Sequence, residues 1–289
     1  MKSIFIFSFI FICQIFPQWT QQTSNSSEVL LGISMYSSTF GYIVGTNGLI
    51  LATTNQGSLW SQKTSGTTNF LRDVYFTDSL RGTIVGESGL ILKTTNAGAN
   101  WTQQSSNTMQ HLVHVHFFDS LLGISTGQAG VILKTTNGGI NWLSQTSNTT
   151  NELPGCFMVD SDTAYAVGFN GTILKTTNSG QQWIQQVSGT TSNLRSVSFF
   201  DKNIGYVVGY NGVILKTTNG GSTWSPQTSG ATNDLFAVCF MSADIGTAVG
   251  TSKILRTIDG GETWISQSVT FTGDLYDVDF ADTQSGWAV

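Results

Sequence analysis

The stretch T-T-N-G-G-S-T-W at residues 217–224 decides the fold, because it returns at a fixed interval along almost the whole chain. Copies stand at residues 53–60, 94–101, 135–142, 176–183 and 257–264. Trp60, Trp101, Trp142, Trp183 and Trp224 follow one another every 41 residues, Trp264 comes 40 later, and Trp19 extends the series back by 41. A period of this length means a propeller, a solenoid or an array. Within each copy an Asx residue lies two positions before a Gly: Asn55 and Gly57, Asn96 and Gly98, Asn137 and Gly139, Asn178 and Gly180, Asn219 and Gly221, Asp259 and Gly261. This is turn chemistry, since the Asx side chain bonds the backbone ahead of it and Gly takes a positive φ. Each copy reads as a hairpin tip, and the Trp three residues past the Gly opens the next strand as a large apolar anchor.

The content of one period separates the possible architectures. From Leu71 the chain reads as a strand L-x-x-V-x-F, a turn at 77–82, a strand at 83–86, a tight turn, a strand at 90–94, the Asx turn and the Trp strand. Four short antiparallel strands in some 41 residues are the content of a propeller blade and not of a solenoid coil. The glycine pairs Gly45 and Gly48, Gly86 and Gly89, Gly127 and Gly130, Gly168 and Gly171, and Gly209 and Gly212 bracket a tight hairpin in successive units. In the sixth unit Thr251-Ser252-Lys253 replaces that turn with one residue fewer, which accounts for the 40-residue step. The Lys of the recurring I-L-K-T-T strand (Lys93, Lys134, Lys175, Lys216) is expected to snorkel at a blade edge.

The expected fold is all-β: a seven-bladed β-propeller of four-stranded antiparallel blades. Six complete blades fall at about 28–64, 69–105, 110–146, 152–187, 193–228 and 233–268. A seventh begins at Asp274 and stops after Gly286-Trp287-Ala288-Val289, in register with Gly205-Tyr206-Val207-Val208. The polar strand at 19–23 resembles the strand after every later Trp, so 274–289 and 19–23 together form the closing blade. Its third strand and Asx turn are missing, so a chain truncated at its C-terminus is expected, with a gap of about two strand spacings, near 10 Å, between Val289 and Trp19.

Residues 1–18 read as a signal peptide: Lys2, then an apolar run at 4–15 too short to span a bilayer, ending at Phe16-Pro17-Gln18. Ile12 stands before Cys13 where a lipoprotein site needs a small residue. The mature chain, 19–289, is expected to be secreted, periplasmic or on the cell surface, to carry no integral membrane segment and to be monomeric. Cys156 and Cys239 are expected to be buried free thiols. The whole chain carries a formal charge of −5, and removing Lys2 takes it to −6. With no Lys/Arg cluster, nucleic acid is excluded as a partner. Charged residues make up only 10%, against a usual quarter, and Gly, Ser, Thr, Asn and Gln take their place, as suits β structure rich in tight turns.

The repeat resembles the Asp-box, or BNR, motif of sialidases and related propellers of the WD40/YVTN/BNR-like superfamily. That pattern is Ser or Thr, any, Asp, any, Gly, any, Thr or Ser, Trp. Here five of the six copies carry Asn for Asp, which keeps the acceptor oxygen that holds the turn and drops the charge. Taken whole, the unit L-x-x-V-x-F-x-D followed by G-Y-x-V-G-x-x-G-x-I-L-K-T-T-N-x-G-x-x-W is similar to the photosystem II stability and assembly factor family of secreted or lumenal seven-bladed propellers. The resemblance implies a basic patch at one channel mouth that grips a protein partner. Many bacterial proteins resembling the family have no connection with photosynthesis and carry a sorting domain for type IX secretion.

Sialidases gather three arginines, a Tyr nucleophile with its Glu, and an acid Asp. The four arginines here, Arg72, Arg81, Arg195 and Arg256, fall at three different repeat positions, and no Tyr and Glu pair stands near one strand end. The expectation is a non-catalytic scaffold without a cofactor, the alternative being a sialidase-like propeller that binds or cleaves glycans. Arg72 and Arg195 share the position after the Leu that opens the innermost strand, where the other blades have Leu31, Val113, Pro154, Phe236 and Tyr276. They are the candidate partner-binding residues, against a reading as solvated arginines at a strand start. His111, His114 and His116 all lie in blade three, and Asp73 is the blade-two counterpart of His114. A His-His-Asp cluster between blades is conceivable, though no metal-specific spacing selects it over a polar lining. Asp274, Asp277 and Asp279 are equally unspecific.

Overall fold

The computed structural model describes residues 3–8, 18–269 and 271–289, with the backbone alone for 3–8. It contains seven four-stranded antiparallel sheets. Blade two is representative: Leu71–Phe76, Gly82–Gly86, Ile91–Thr94 and Thr102–Gln104 run from the channel to the rim. The innermost strands touch their neighbours all the way round, including the first against the last, so the ring is closed.

The Asx turns are held as the sequence requires. Thr217 Oγ1 donates to Asn219 Oδ1 and accepts from the N–H of Gly221 at 2.8 Å, while Asn219 Oδ1 accepts from the N–H of Thr223 at 2.9 Å. Asp259 repeats this pattern and adds a bond from Thr263 Oγ1 to its second oxygen. One Asx oxygen therefore does the structural task in either residue. Gly221 sits at φ +78°, and a Cβ there would lie 2.9 Å from the Tyr165 ring of the preceding blade. Gly212, at φ +70°, passes so close to the carbonyl of Ala231 that a Cβ would stand 2.0 Å from it. Trp60, Trp142, Trp183, Trp224 and Trp264 are buried, and Trp101 is half-buried with its edge against Tyr42 and Phe76.

The lysines of the third strand do more than snorkel. Lys134, Lys175 and Lys216 donate to the carbonyls of Ser179, Gly220 and Gly260, in the Asx turn of the next blade, at 2.6–2.7 Å. Lys93 does the same to Gly138. Tyr165 and Tyr206, on the second strand, donate to the same Gly220 and Gly260 carbonyls, and Tyr42 donates to Ala97. Each such turn is thus latched to the blade before it.

Closure differs from expectation in one respect. Val278–Phe280 and Gly286–Ala288 are the two inner strands of blade seven, and Gln18–Thr23 is its outermost. The expected gap between them is filled by Ser3–Ser8, which pairs antiparallel with both neighbours. The physical cause is two facing strand edges with unpaired backbone groups, which take up an extended segment within reach. Residues 9–17, including Cys13, lie outside the described residues. Among the described residues no helix is long and apolar enough to cross a membrane. Cys156 and Cys239 are free thiols, the first buried and the second partly so.

Candidate functional site

The repeat position that holds Arg72 and Arg195 is a structural irregularity. In blades one, two, three, five and six the pairing register slips between the opening Leu and the residue two further on, so Leu31, Arg72, Val113, Arg195 and Phe236 occupy β-bulges. A bulge leaves one residue unpaired and re-aims its side chain. Together with Pro154 and Tyr276, these residues ring a cavity of about 100 Å³ at one mouth of the channel. The structure brings Arg72 and Arg195 to this mouth and leaves the other two arginines elsewhere. Arg81 pairs with Asp78 at an exposed turn, and Arg256 is buried in the third strand of blade six, over Phe280.

The two mouth arginines differ electrostatically. Arg72 Nη2 lies 2.9 Å from Glu87 Oε1. Arg195 has no carboxylate in ion-pair range among the described residues, and its guanidinium rests 5.6 Å from the centre of the Phe236 ring. The Nε of each is buried without a hydrogen-bond partner. Phe236 in turn stacks on Tyr276 at 5.5 Å and meets Tyr210 edge-on at 6.2 Å, and Tyr210 contacts Phe169 at 6.4 Å. A row of four half-buried aromatic rings therefore spans blades four to seven on the Arg195 side. Sequence reading missed this row because its members come from two repeat positions: Phe169 and Tyr210 belong to the tight turn before the third strand, Phe236 and Tyr276 to the bulge position.

Below the mouth the channel continues as a space of about 190 Å³ that shares Asp73, His114, Ser196 and Asp277 with it. Its polar side chains are occupied in holding neighbouring blades together. Asp73 Oδ2 accepts the N–H of Val115, Asp277 Oδ2 that of Ile33, and Asp279 Oδ2 that of Met35, at 2.7–2.9 Å. Ser34, Ser196 and Ser198 accept the N–H groups of Phe76, Val238 and Phe240 in the same way. Burial, followed by the neighbouring carboxylates, raises the pKa of Asp73 and Asp277, and burial raises that of Asp279 to about 6.

His114 Nδ1 stands 3.7 Å from Asp73 Oδ2 and 3.4 Å from Cys156 Sγ. His116 Nδ1 accepts the N–H of Met158, and its ring lies against Phe157. Burial lowers the pKa of both histidines, that of His116 to about 3. His111 is apart from them, one residue before the innermost strand of blade three, and its Nδ1 accepts from the N–H of Ser88 in the tight turn of blade two. No cluster of three or more His, Cys, Asp or Glu side chains able to hold a metal occurs among the described residues. Asp274, just before the innermost segment of blade seven, accepts from Thr251 Oγ1 and from the hydroxyl of Tyr276, a mouth residue.

Seven blades, Asx-turn hairpins and a mouth lined by bulge residues define an Asp-box β-propeller. The chain belongs to the family described as Photosynthesis system II assembly factor YCF48, whose profile matches residues 64–198 and 185–268. Among solved structures it is similar to YCF48 from Cyanidioschyzon merolae, with a TM-score of 0.77 and 21% identity over 94% of this chain and 95% of that one. A second, YCF48 bound to D1 peptide, has a TM-score of 0.75 and 17% identity over 91% and 92%. The GH74 xyloglucanase of Xanthomonas campestris shares the fold at a TM-score of 0.68 and 12% identity, over 86% of this chain and 49% of the enzyme. No curated protein matches the chain.

Proposed function

We propose that this protein is an exported, non-catalytic scaffold that holds an extended, carboxylate-bearing segment of a partner protein at the channel mouth. The observation that carries the reading is Arg195: among the described residues a cation with no carboxylate in ion-pair range, its Nε buried and unpartnered, laid on Phe236 within a row of aromatic rings. Charge-assisted, bidentate bonds from a guanidinium suit a carboxylate, and half-buried aromatic rings suit the apolar part of a peptide. Kinship with a propeller solved with a peptide bound supports a peptide as the ligand class. Export rests on Lys2 and the apolar run after it.

A non-catalytic role is supported by the separation of the four arginines and by the channel carboxylates, each of which is engaged by backbone N–H groups. A glycan-binding reading draws on the same aromatic row and on the fold shared with GH74 enzymes. The two are separated by incubating the protein with sialosides, aryl glycosides and xyloglucan oligosaccharides beside a set of acidic peptides. The scaffold reading expects peptide binding and no glycoside turnover. Turnover that vanishes when a single carboxylate is replaced contradicts it.

A further inference from the structure

The channel has a second mouth, and its chemistry is the reverse of the first. Arg195 stands near the start of Leu194–Phe199, and a strand of six residues carries the chain about 20 Å to the other end. There the turns at 36–40, 77–81, 118–122, 159–163, 200–204, 241–245 and 281–285 lead from the innermost strands into the second ones. Together they hold seven aspartates against two cations, Arg81 and Lys202. Five large apolar side chains of the same turns, Tyr36, Leu80, Phe118, Leu121 and Phe200, are 45–55% exposed. Apolar residues scattered singly over a surface need no explanation, but these are gathered on one face.

Tyr36, Phe118 and Phe200 share one repeat position, the residue just past the end of the innermost strand, in blades one, three and five. Two positions earlier, Ser34, His116 and Ser198 line the channel, so strand alternation makes the three rings the last course of the same wall. In blades three and five an aspartate follows the ring directly, which pairs Phe118 with Asp119 and Phe200 with Asp201.

Each of these aspartates is fixed through one oxygen. Asp119 Oδ1 accepts the N–H groups of Leu121 and Leu122, and Asp201 Oδ1 those of Asn203 and Ile204, all at 2.7 Å. Asp78 spends its second oxygen on Arg81, but among the described residues no cation pairs with Asp119 or Asp201. The Asx turns brace the same segments, since the Leu121 and Asn203 carbonyls accept the N–H groups of Gly138 and Gly220 at 2.8 and 2.9 Å. The third-strand lysines are spent on Asx-turn carbonyls. Ring and carboxylate are therefore held in place before a partner arrives, which lowers the ordering cost of binding.

We propose that this second mouth docks a basic segment of a partner protein, one in which Arg or Lys alternates with aliphatic residues. An aromatic face beside a carboxylate oxygen suits a guanidinium or ammonium group, through cation–π attraction and a charge-assisted hydrogen bond together. Leu80 and Leu121 offer apolar contact to the aliphatic residues between. The inference does not depend on the reading of Arg195, because the two mouths share no residue.

The test uses the full chain and a labelled peptide, R-L-R-L-R-L-R-L, at physiological salt, read by fluorescence anisotropy. Asp119→Asn with Asp201→Asn keeps the capping oxygens and removes the charges. Phe118→Ala with Phe200→Ala removes rings that are largely outside the core. Each double variant should bind the peptide about tenfold or more weakly than the unaltered chain. Glu152→Gln with Asp234→Asn makes the same charge change two residues before the first-mouth residues Pro154 and Phe236; it and Arg195→Ala should each bind within about twofold of the unaltered chain. No binding to the unaltered chain, binding unmoved by loss of the rings, or equal losses in the two charge variants would each overturn the proposal. Self-association in sedimentation velocity that Phe118→Ala with Phe200→Ala abolishes would assign the face to a second copy of the chain and overturn it as well.

Discussion

Asp279, on the inner strand of the last blade, accepts the backbone N–H of Met35, on the inner strand of the first, at 2.7 Å. With the parallel bond from Ile33 to Asp277, it closes the ring through two carboxylates where the seam between blades five and six uses Ser196 and Ser198. Burial raises the Asp279 pKa to about 6 from an ordinary 3.8. The folded state therefore holds this proton more tightly than the unfolded chain, and the associated stability is full below about pH 4 and lost as pH rises through about 6. Asp279→Asn keeps an acceptor oxygen and removes the ionisation. Relative to the unaltered protein it should gain on the order of 1–3 kcal/mol between pH 4 and pH 7. Denaturant midpoints of both proteins across that range provide the check, and a difference that stays flat or falls contradicts the assignment.

His116 carries the opposite sign. Its pKa is lowered by burial to about 3, so the unfolded chain binds the proton first as pH falls below 6.5. Stability from keeping it neutral is present above that value and lost toward pH 3. His116→Asn should flatten the acid limb of the stability curve, measured by thermal midpoints between pH 3.5 and 7. An unchanged acid limb would show that another group governs it.

The Asx turns predict a chemical equivalence. Asn219→Ala removes the acceptor for the Thr223 N–H and the Thr217 hydroxyl and should cost about 1 kcal/mol, while Asn219→Asp should stay within about 0.5 kcal/mol. Urea unfolding of the two variants distinguishes them. A loss for Asp as large as that for Ala would mean the turn depends on the Asn amide N–H₂.

Trp142 is 2% exposed and meets Phe117 edge-on at 6.0 Å. Trp142→Ala should destabilise by about 3–5 kcal/mol. Trp101→Ala, at the half-buried copy, should cost less. Equal losses would indicate that burial is not what sets the contribution of these rings.

The period, the hairpins and the tryptophans were legible in the sequence because each is local: Thr217, Asn219, Gly221 and Trp224 lie within eight residues. What could not be read acts between blades. Lys175 reaches the Gly220 carbonyl 45 residues on, and a chain that states the Lys and the turn separately says nothing of the bond. The pairing of Arg72 with Glu87 was hidden for the same reason, and it makes two arginines at one repeat position unequal. Ser3–Ser8 was not read as a strand because an apolar run of this length after Lys2 reads first as a leader, and its periodicity does not separate strand from helix. Arg195 itself was found from repeat position alone, but the rings beside it follow no single period.

The central claim, that Arg195 on Phe236 holds the carboxylate of a partner segment, is tested most directly by selecting a displayed library of random peptides with free C-termini on three proteins: the unaltered chain, Arg72→Ala and Arg195→Ala. The unaltered chain and Arg72→Ala should enrich the same acidic peptides with apolar residues beside the carboxylate. Arg195→Ala should bind those peptides at least about tenfold more weakly, a loss of about 1.4 kcal/mol or more. Undiminished binding to Arg195→Ala, or a loss confined to Arg72→Ala, would contradict the account.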